Sequence, residues 1–137
     1  MLANLKRLQA AGLWVEVTTL VIPGANDSDD ELRWIARYLH DELGPDTPWH
    51  ISRFYPQYRM ADALPTPTAT LERAWQIGRD AGLRYVYVGN MPGNHTESTF
   101  CPQCGQPVIE RTGYRIGRQR VKDGRCDRCA APIAGMW

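Results

Sequence analysis

The sequence predicts an α/β fold with parallel strands, followed by a small cysteine-rich module, and three observations support this prediction. Helical and β-branched segments alternate along the first hundred residues, which is typical of parallel sheets with crossover helices. All four cysteines lie after residue 100. Charge changes at the same point, because residues 1–100 carry 9 basic and 12 acidic side chains (net −3) whereas residues 101–137 carry 7 and 3 (net +4). We therefore expect two domains, at residues 1–98 and 99–137.

The first three elements have clear boundaries in the sequence. Residues 2–11 carry apolar side chains at helical spacing and end at Gly12, which predicts a helix. Residues 13–22 are rich in β-branched side chains and stop at a Pro-Gly pair, which predicts a strand. Ser28 and Glu31 form a capping box for a second helix, and an apolar stripe continues that helix to Leu43.

The next three elements repeat this alternation. Residues 49–54 predict a second strand. Pro67 suits the first position of a third helix, which ends before Gly82. Residues 85–88 are alternating Tyr and Val and predict a third strand. Three parallel strands are too few to close a barrel, which needs about eight in its complete form. The sheet is therefore either a small open layer or the second half of a larger barrel, and the helix that precedes the first strand favours the half-barrel.

The cysteines predict a metal site. They form two Cys-x-x-Cys pairs separated by 21 residues: Cys101, Cys104, Cys126 and Cys129. This spacing is close to that of four-thiolate zinc sites, and four thiolates leave no open coordination position. We expect a structural zinc in a rubredoxin-like ribbon, with iron in the same cage as an alternative. Two disulfides are the other interpretation, but the sequence has neither a signal-peptide core nor a membrane-length apolar run, which favours a reduced, cytoplasmic protein.

Three loops follow the predicted strands, and sites in parallel α/β folds gather at this edge. They span residues 23–27, 55–60 and 89–95. Alternation along the second strand places His50 and Ser52 on one face, where they can line a cavity. Both His50 as a satisfied structural histidine and the first loop as an ordinary turn remain open alternatives. The sequence contains no Gly-rich phosphate loop, HExxH motif or evident Ser-His-Asp set.

Several segments together resemble a known family: residues 18–27, 49–60 and 82–90, and the closing Cys-Pro-x-Cys-Gly. They are similar to the C-terminal half of the radical S-adenosylmethionine (SAM) enzyme of the AmmeMemoRadiSam system, a relative of the pyruvate formate-lyase activating enzymes. The resemblance implies a partial (β/α)₆ barrel in which a [4Fe–4S] cluster cleaves SAM to a 5′-deoxyadenosyl radical. It also implies SAM contacts for Val21 or Ile22 beside the adenine, and for Tyr55 where relatives carry a histidine.

One departure from the family limits this resemblance. The Cys-x-x-x-Cys-x-x-Cys motif that holds the cluster is absent from this sequence, as is the family's glycine-rich strand for the SAM amino group. We therefore expect the distal portion of such an enzyme, inactive alone, with its missing N-terminal half or a second copy as partner. The substrate is unidentified, with a protein among the candidates, and no membrane association is expected.

A second class of function remains open, in which the ribbon is a binding module for nucleic acid or a protein. Seven basic side chains between residues 111 and 128 can contact phosphates. Few aromatic side chains accompany them, and basic loops are commonly solvated, so we do not expect nucleic-acid binding. The half-enzyme stays the first interpretation.

Overall fold

The computed structural model describes residues 2–91, 93 and 95–137. Its first part is a three-stranded parallel sheet with helices on one face. The elements in chain order are α1 (Leu2–Ala10), β1 (Val17–Val21), α2 (Asp29–Tyr38), β2 (Trp49–Arg53), α3 (Thr68–Asp80) and β3 (Val86–Gly89). The sheet order is β1-β2-β3, and both pairs are parallel, as the alternation of helices and strands predicts.

The first strand is shorter than predicted. It begins at Val17 rather than at residue 13, because the partner strand β2 begins at the matching position, Trp49. Val17 is in register with Trp49 and donates its amide to the carbonyl of Pro48 at 3.0 Å. The amide of Leu13 instead donates to Leu8 and closes the end of α1. β-branched composition alone does not show where a partner strand starts.

The second helix starts as predicted and changes form before its end. Ser28 caps it by accepting a hydrogen bond from the amide of Glu31 at 3.3 Å. The α-helix ends at Tyr38, and Leu39–Leu43 continue as one π-helical turn in which both leucines are buried. A π turn rotates the side chains relative to an α-helix, and here both apolar ends of the segment still face the core.

The main core lies between the sheet and the helices. It contains thirteen buried apolar residues, among them Leu32, Trp49, Ile51, Leu71 and Val88. The helix α3 lies very close to the sheet at Gly78, where a Cβ would be 2.9 Å from the ring of Trp49. A glycine inside a helix costs about 1 kcal/mol relative to alanine, and here it permits this close packing.

The second part of the chain is a small antiparallel ribbon. One sheet contains β4 (Thr99–Phe100), β5 (Pro107–Thr112) and β6 (Arg115–Gln119), and a hairpin contains β7 (Val121–Lys122) and β8 (Arg125–Cys126). Its buried residues are Cys101, Val108, Cys126, Ala131 and Ile133, together with Tyr85 from the end of the α/β layer. The ribbon therefore packs directly against the sheet. None of the helices in the described ranges is long and apolar enough to cross a membrane.

Candidate functional site

The four cysteines form a single cluster. Their sulfur atoms all lie within 4.8 Å of one another, with Cys101 Sγ 3.6 Å from Cys129 Sγ and Cys104 Sγ 3.8 Å from Cys126 Sγ. A tetrahedral ion with metal–sulfur bonds of about 2.3 Å requires sulfur–sulfur edges of about 3.8 Å. The same distances are much longer than a disulfide bond of about 2.05 Å. The arrangement therefore suits one metal ion such as zinc, and all four cysteines are free thiols.

The two Cys-x-x-Cys segments use the same turn. The amide of Gly105 donates to the carbonyl of Cys101, and the amide of Ala130 donates to the carbonyl of Cys126, each at 2.9 Å. Both donors have positive φ angles, +70° for Gly105 and +59° for Ala130. The second turn places a non-glycine residue in the left-handed region, which is uncommon and is maintained here by the structure around the thiols.

The thiols differ in how easily they lose a proton. Burial raises the pKa of Cys126, but amide hydrogen bonds from Cys129 and Arg128 outweigh it and bring that pKa to about 7. A hydrogen bond from the backbone amide of Ala131 lowers the pKa of Cys129, but burial and the neighbouring thiols raise that pKa to about 12. One thiolate therefore forms readily near neutral pH, and a bound cation would favour the remaining three.

The face of the sheet away from the helices is open and more polar. Two rows of side chains lie on it, because parallel register places Thr18 beside His50 and Tyr87, and Leu20 beside Ser52. Glu16 precedes β1 on the same face. The sequence placed His50 and Ser52 on a common face, and the structure agrees: both are half-exposed, while Trp49 and Ile51 are buried on the other face.

His50 lies in a network of polar and aromatic groups. Its Nε2 is 2.8 Å from Glu16 Oε2, and its ring stacks on Tyr87 with centroids 5.0 Å apart. Burial alone would raise the pKa of Glu16, but hydrogen bonds from Trp14 and His50 hold it below its ordinary value. Burial raises the pKa of Tyr87. His50 is therefore hydrogen-bonded to Glu16 and stacked on Tyr87, and its ring remains partly accessible on the open face.

A second polar group lies at the carboxyl edge of the strands. Asn90 donates its side-chain amide to Ser52 Oγ at 3.0 Å, and its carbonyl accepts from Tyr55 Oη at 3.1 Å. The guanidinium of Arg53 donates to Tyr55 Oη at 3.1 Å and lies 4.9 Å from the centre of its ring. The structure therefore brings two predicted residues, Ser52 and Tyr55, into one hydrogen-bonded group with Asn90, which has a φ of +58°.

The other predicted positions lie at the end of β1. Val21 has no exposed surface and packs in the main core, so Ile22 is the more accessible of the two. The loop 23–27 is a closed turn: Asn26 accepts from the amide of Ile22 at 2.7 Å and donates to the carbonyl of Leu20 at 3.0 Å. These hydrogen bonds are those of an ordinary turn, which agrees with the turn interpretation of this loop. In the third loop, Pro92 and Asn94 lie outside the described residues.

A cavity of about 420 Å³ lies between the open face and the ribbon. The sheet contributes Glu16, His50, Tyr87 and the residues from Val88 to Met91, and the ribbon side contributes Glu97, Arg111, Gly113 and Tyr114. Its volume lies within the range of small-molecule sites. Sequence reasoning missed Glu16, although alternation places it two residues before Thr18. It could not have found Arg111, whose position depends on how the ribbon packs.

The basic side chains of the ribbon do not form one surface. Arg111 lies in the cavity, Arg120 lies 4.0 Å from Asp127, and Arg125 donates to the carbonyl of Ala130. By contrast, Arg115 and Arg118 lie on β6, of which every residue is exposed. The set of cations counted in the sequence is therefore distributed among different environments.

The comparisons with known proteins give a relative and a fold. No protein-family model matches the sequence. The uncharacterized protein MJ0808 of Methanocaldococcus jannaschii is 44% identical over 134 residues. The match covers 96% of this chain and 40% of the relative, so the chain spans about two fifths of the length of the curated relative.

A solved structure shares part of the fold. It is a domain of a pyruvate-formate lyase-activating enzyme from Bacteroides vulgatus, with a TM-score of 0.51 and 20% sequence identity. The superposition covers 65% of this chain and 52% of the other. The chain is thus similar in fold to an activating-enzyme domain and carries, in addition, a four-cysteine cluster suited to a metal ion.

Proposed function

We propose that this chain is the distal portion of a radical SAM enzyme, in which a segment outside the chain holds the [4Fe–4S] cluster. The fold likeness to a domain of a pyruvate-formate lyase-activating enzyme is the observation that carries this proposal. The family-like segments at residues 18–27, 49–60 and 82–90 add to it. In this proposal the parallel sheet is part of a half-barrel, and its open face is the inner wall.

The cysteines of this chain do not fit the cluster. Each iron of a [4Fe–4S] cluster carries its own ligand, so its thiolates lie further apart than those around one ion. The sulfurs here have the spacing of a single tetrahedral ion and belong to the ribbon. We assign them a structural zinc, with iron as the alternative, and derive no reaction step from this chain alone.

The open face offers groups that suit the SAM side of such an enzyme. Ser52, Tyr55 and His50 present hydroxyl and imidazole groups, and Ile22 presents apolar surface at the end of β1. SAM combines hydroxyls and an amino-acid group with a flat adenine, so both kinds of surface are needed. These residues would bind and orient SAM, while the cluster and its chemistry would come from the missing segment.

The surface around β1 supports a partner for this sheet. In the described part of the chain, β1 pairs only with β2, so its other edge is free to accept a strand. Exposed apolar side chains lie on or near β1: Leu13, Trp14 and Leu20 are 55%, 39% and 44% exposed. We propose that the rest of the enzyme covers this region. Without it the chain should self-associate, which sedimentation would detect.

The proposal is tested by comparing this chain with the full-length relative. Both proteins are reconstituted anaerobically with iron and sulfide, reduced, and assayed for 5′-deoxyadenosine from SAM. We expect product from the full-length relative and none from this chain alone, since the cluster ligands are absent from it. Zinc content is measured in both, so that a misfolded ribbon is recognised.

Two outcomes would contradict the proposal. Formation of 5′-deoxyadenosine by this chain alone would show that it holds a cluster of its own. An assembled cluster without SAM cleavage in the full-length relative would remove the family assignment. The DNA next to the gene gives a further check, because an in-frame three-cysteine motif there would supply the missing segment.

A further inference from the structure

The cavity between the sheet and the ribbon is lined by charged groups, some of which are only partly hydrogen-bonded within the fold. Its apolar surface comes from Met91 and the stacked rings of His50 and Tyr87. Tyr114 stands fully exposed at its rim. The charged side chains lining it are Glu16, Glu97 and Arg111. How far each of them is satisfied decides what the cavity can bind.

Glu16 has both carboxylate oxygens occupied. Oε1 accepts from Trp14 Nε1 and Oε2 from His50 Nε2, each at 2.8 Å. Glu97 differs, because its Oε2 accepts from the amide of Gly113 at 2.8 Å, whereas its Oε1 has no hydrogen-bond partner among the described residues. Glu97 is half-buried, so this free oxygen is a partly desolvated acceptor with a negative charge.

Arg111 is the matching donor. Its Nη1 donates to Thr99 Oγ1 at 2.6 Å and to the carbonyl of Glu97 at 3.4 Å. Across residues 2–91, 93 and 95–137, the guanidinium forms no ion pair, and its other side-chain contact is with Tyr87, whose ring centre lies 5.8 Å from its central carbon. A half-buried guanidinium that packs beside an aromatic ring and has no carboxylate partner in the described part of the chain is suited to a carboxylate.

The two free groups are neighbours of opposite charge that do not pair with each other. Arg111 contacts the backbone of Glu97, and both side chains line the same cavity. A ligand carrying only an anion or only a cation would satisfy one and repel the other. A ligand carrying both would satisfy the two together, with its apolar part against Met91 and the stacked rings.

We propose that this cavity binds the free α-amino-acid group of a substrate, with its carboxylate on Arg111 and its ammonium on Glu97. The ligand class is an amino acid, or a terminal residue, with an apolar or aromatic side chain. This inference adds a substrate class to the proposed function, and calling the ligand a substrate rests on that proposed function. The binding itself needs neither cluster nor SAM, so its test is separate.

The test uses zinc-loaded, ¹⁵N-labelled protein titrated with three matched probes. Phenylalanine carries both charges, N-acetylphenylalanine lacks the ammonium, and phenylalaninamide lacks the carboxylate. We expect phenylalanine to shift the amide signals of Asn90 and Gly113 and to bind roughly tenfold or more tightly than either analogue, since each lost charged hydrogen bond costs at least that factor. Equal binding of all three probes, or no shift at millimolar phenylalanine, would overturn the proposal.

Substitutions assign each charge to its residue. Arg111→Gln should abolish the preference for phenylalanine over phenylalaninamide, and Glu97→Gln the preference over N-acetylphenylalanine. Arg118→Gln, on the exposed strand β6, is the matched control and should change neither. Unchanged preferences in the Arg111 and Glu97 variants would contradict the assignment. Should a variant lose its zinc or its dispersed spectrum, the probe series on the unmodified protein decides alone.

A further probe separates substrate from cofactor. The resemblance to radical SAM enzymes places the SAM amino group on a glycine-rich strand outside this chain. His50 borders both the proposed SAM site and this cavity, but the two amino-acid groups would occupy different places, so S-adenosylhomocysteine should leave bound phenylalanine in place. Its displacement of phenylalanine would assign the amino-acid site to the cofactor and overturn the substrate assignment.

Discussion

The α/β layer and the ribbon are stabilised by different means. The layer buries thirteen apolar side chains between sheet and helices. The apolar cluster of the ribbon contains six buried residues, of which two are cysteines and one, Tyr85, belongs to the layer. A module with so few apolar groups of its own needs a metal or a partner to fold. From this comparison we expect the ribbon to depend on a bound metal ion and on the sheet, and the layer to depend mainly on its own packing.

We expect the largest difference between the two regions when one metal ligand is removed. We expect Cys126→Ser to reduce bound zinc from one per chain to none and to unfold the ribbon, because structural zinc contributes on the order of 10 kcal/mol in isolated modules. Signals of β1 and β2 should persist in a ¹⁵N spectrum, and signals near Tyr85 should shift. Metal analysis and that spectrum are the measurements.

The matched control for this prediction is Gln103→Ser, which changes an exposed residue between two ligands and should retain the metal. A chelator should unfold the ribbon of the control and leave Cys126→Ser unchanged. Retention of a full equivalent of zinc by Cys126→Ser would contradict the four-thiolate site.

A smaller effect tests the packing of the layer. Leu71 is fully buried in the main core, so Leu71→Ala should lower the free energy of unfolding of the layer by about 3 kcal/mol through lost transfer energy and a cavity. Leu64, which is 76% exposed, is the control, and Leu64→Ala should change it by less than about 0.5 kcal/mol. Denaturant unfolding measures both. Equal losses would show that the layer is loosely packed.

The smallest effect concerns the junction of the two regions. The hydroxyl of Tyr85 accepts a hydrogen bond from the amide of Ala134 at 3.0 Å, and the ring is buried in the ribbon core. Tyr85→Phe leaves that amide without its acceptor and should cost about 1 kcal/mol. Tyr114→Phe removes a fully exposed hydroxyl and should cost nothing measurable. The midpoint of ribbon unfolding distinguishes them, and identical midpoints would show that the junction is not tight.

Much of the layer could be predicted from local patterns. The capping box at Ser28, the alternation along β2 and the stops at Gly12 and Gly82 are properties of a few adjacent residues, and each corresponds to an observed element. The start of β1 could not be predicted in this way, because it depends on where the chain before Trp49 comes alongside. The π turn after Tyr38 likewise depends on packing.

The metal site and the cavity differ in the same respect. Cysteine spacing alone was enough to predict that the four thiols lie together, because each Cys-x-x-Cys pair is local and one ion could join the two pairs. The cavity joins Glu16, from before β1, to Arg111 of the ribbon, ninety-five residues later. No spacing rule connects two such positions. Only the contact of the ribbon with Tyr85 and Tyr87 places them together.

The two walls of this cavity have a thermodynamic consequence. One wall is the sheet, and the other is the part of the ribbon from Glu97 to Tyr114, a module that we expect to need its metal to fold. Any ligand that contacts both walls favours the docked ribbon, and the docked ribbon is the form that retains its ion. Linkage then requires reciprocity: the ion raises the affinity for the ligand, and the ligand raises the affinity for the ion by the same factor. The cysteines would thereby control occupancy of a cavity that none of them lines.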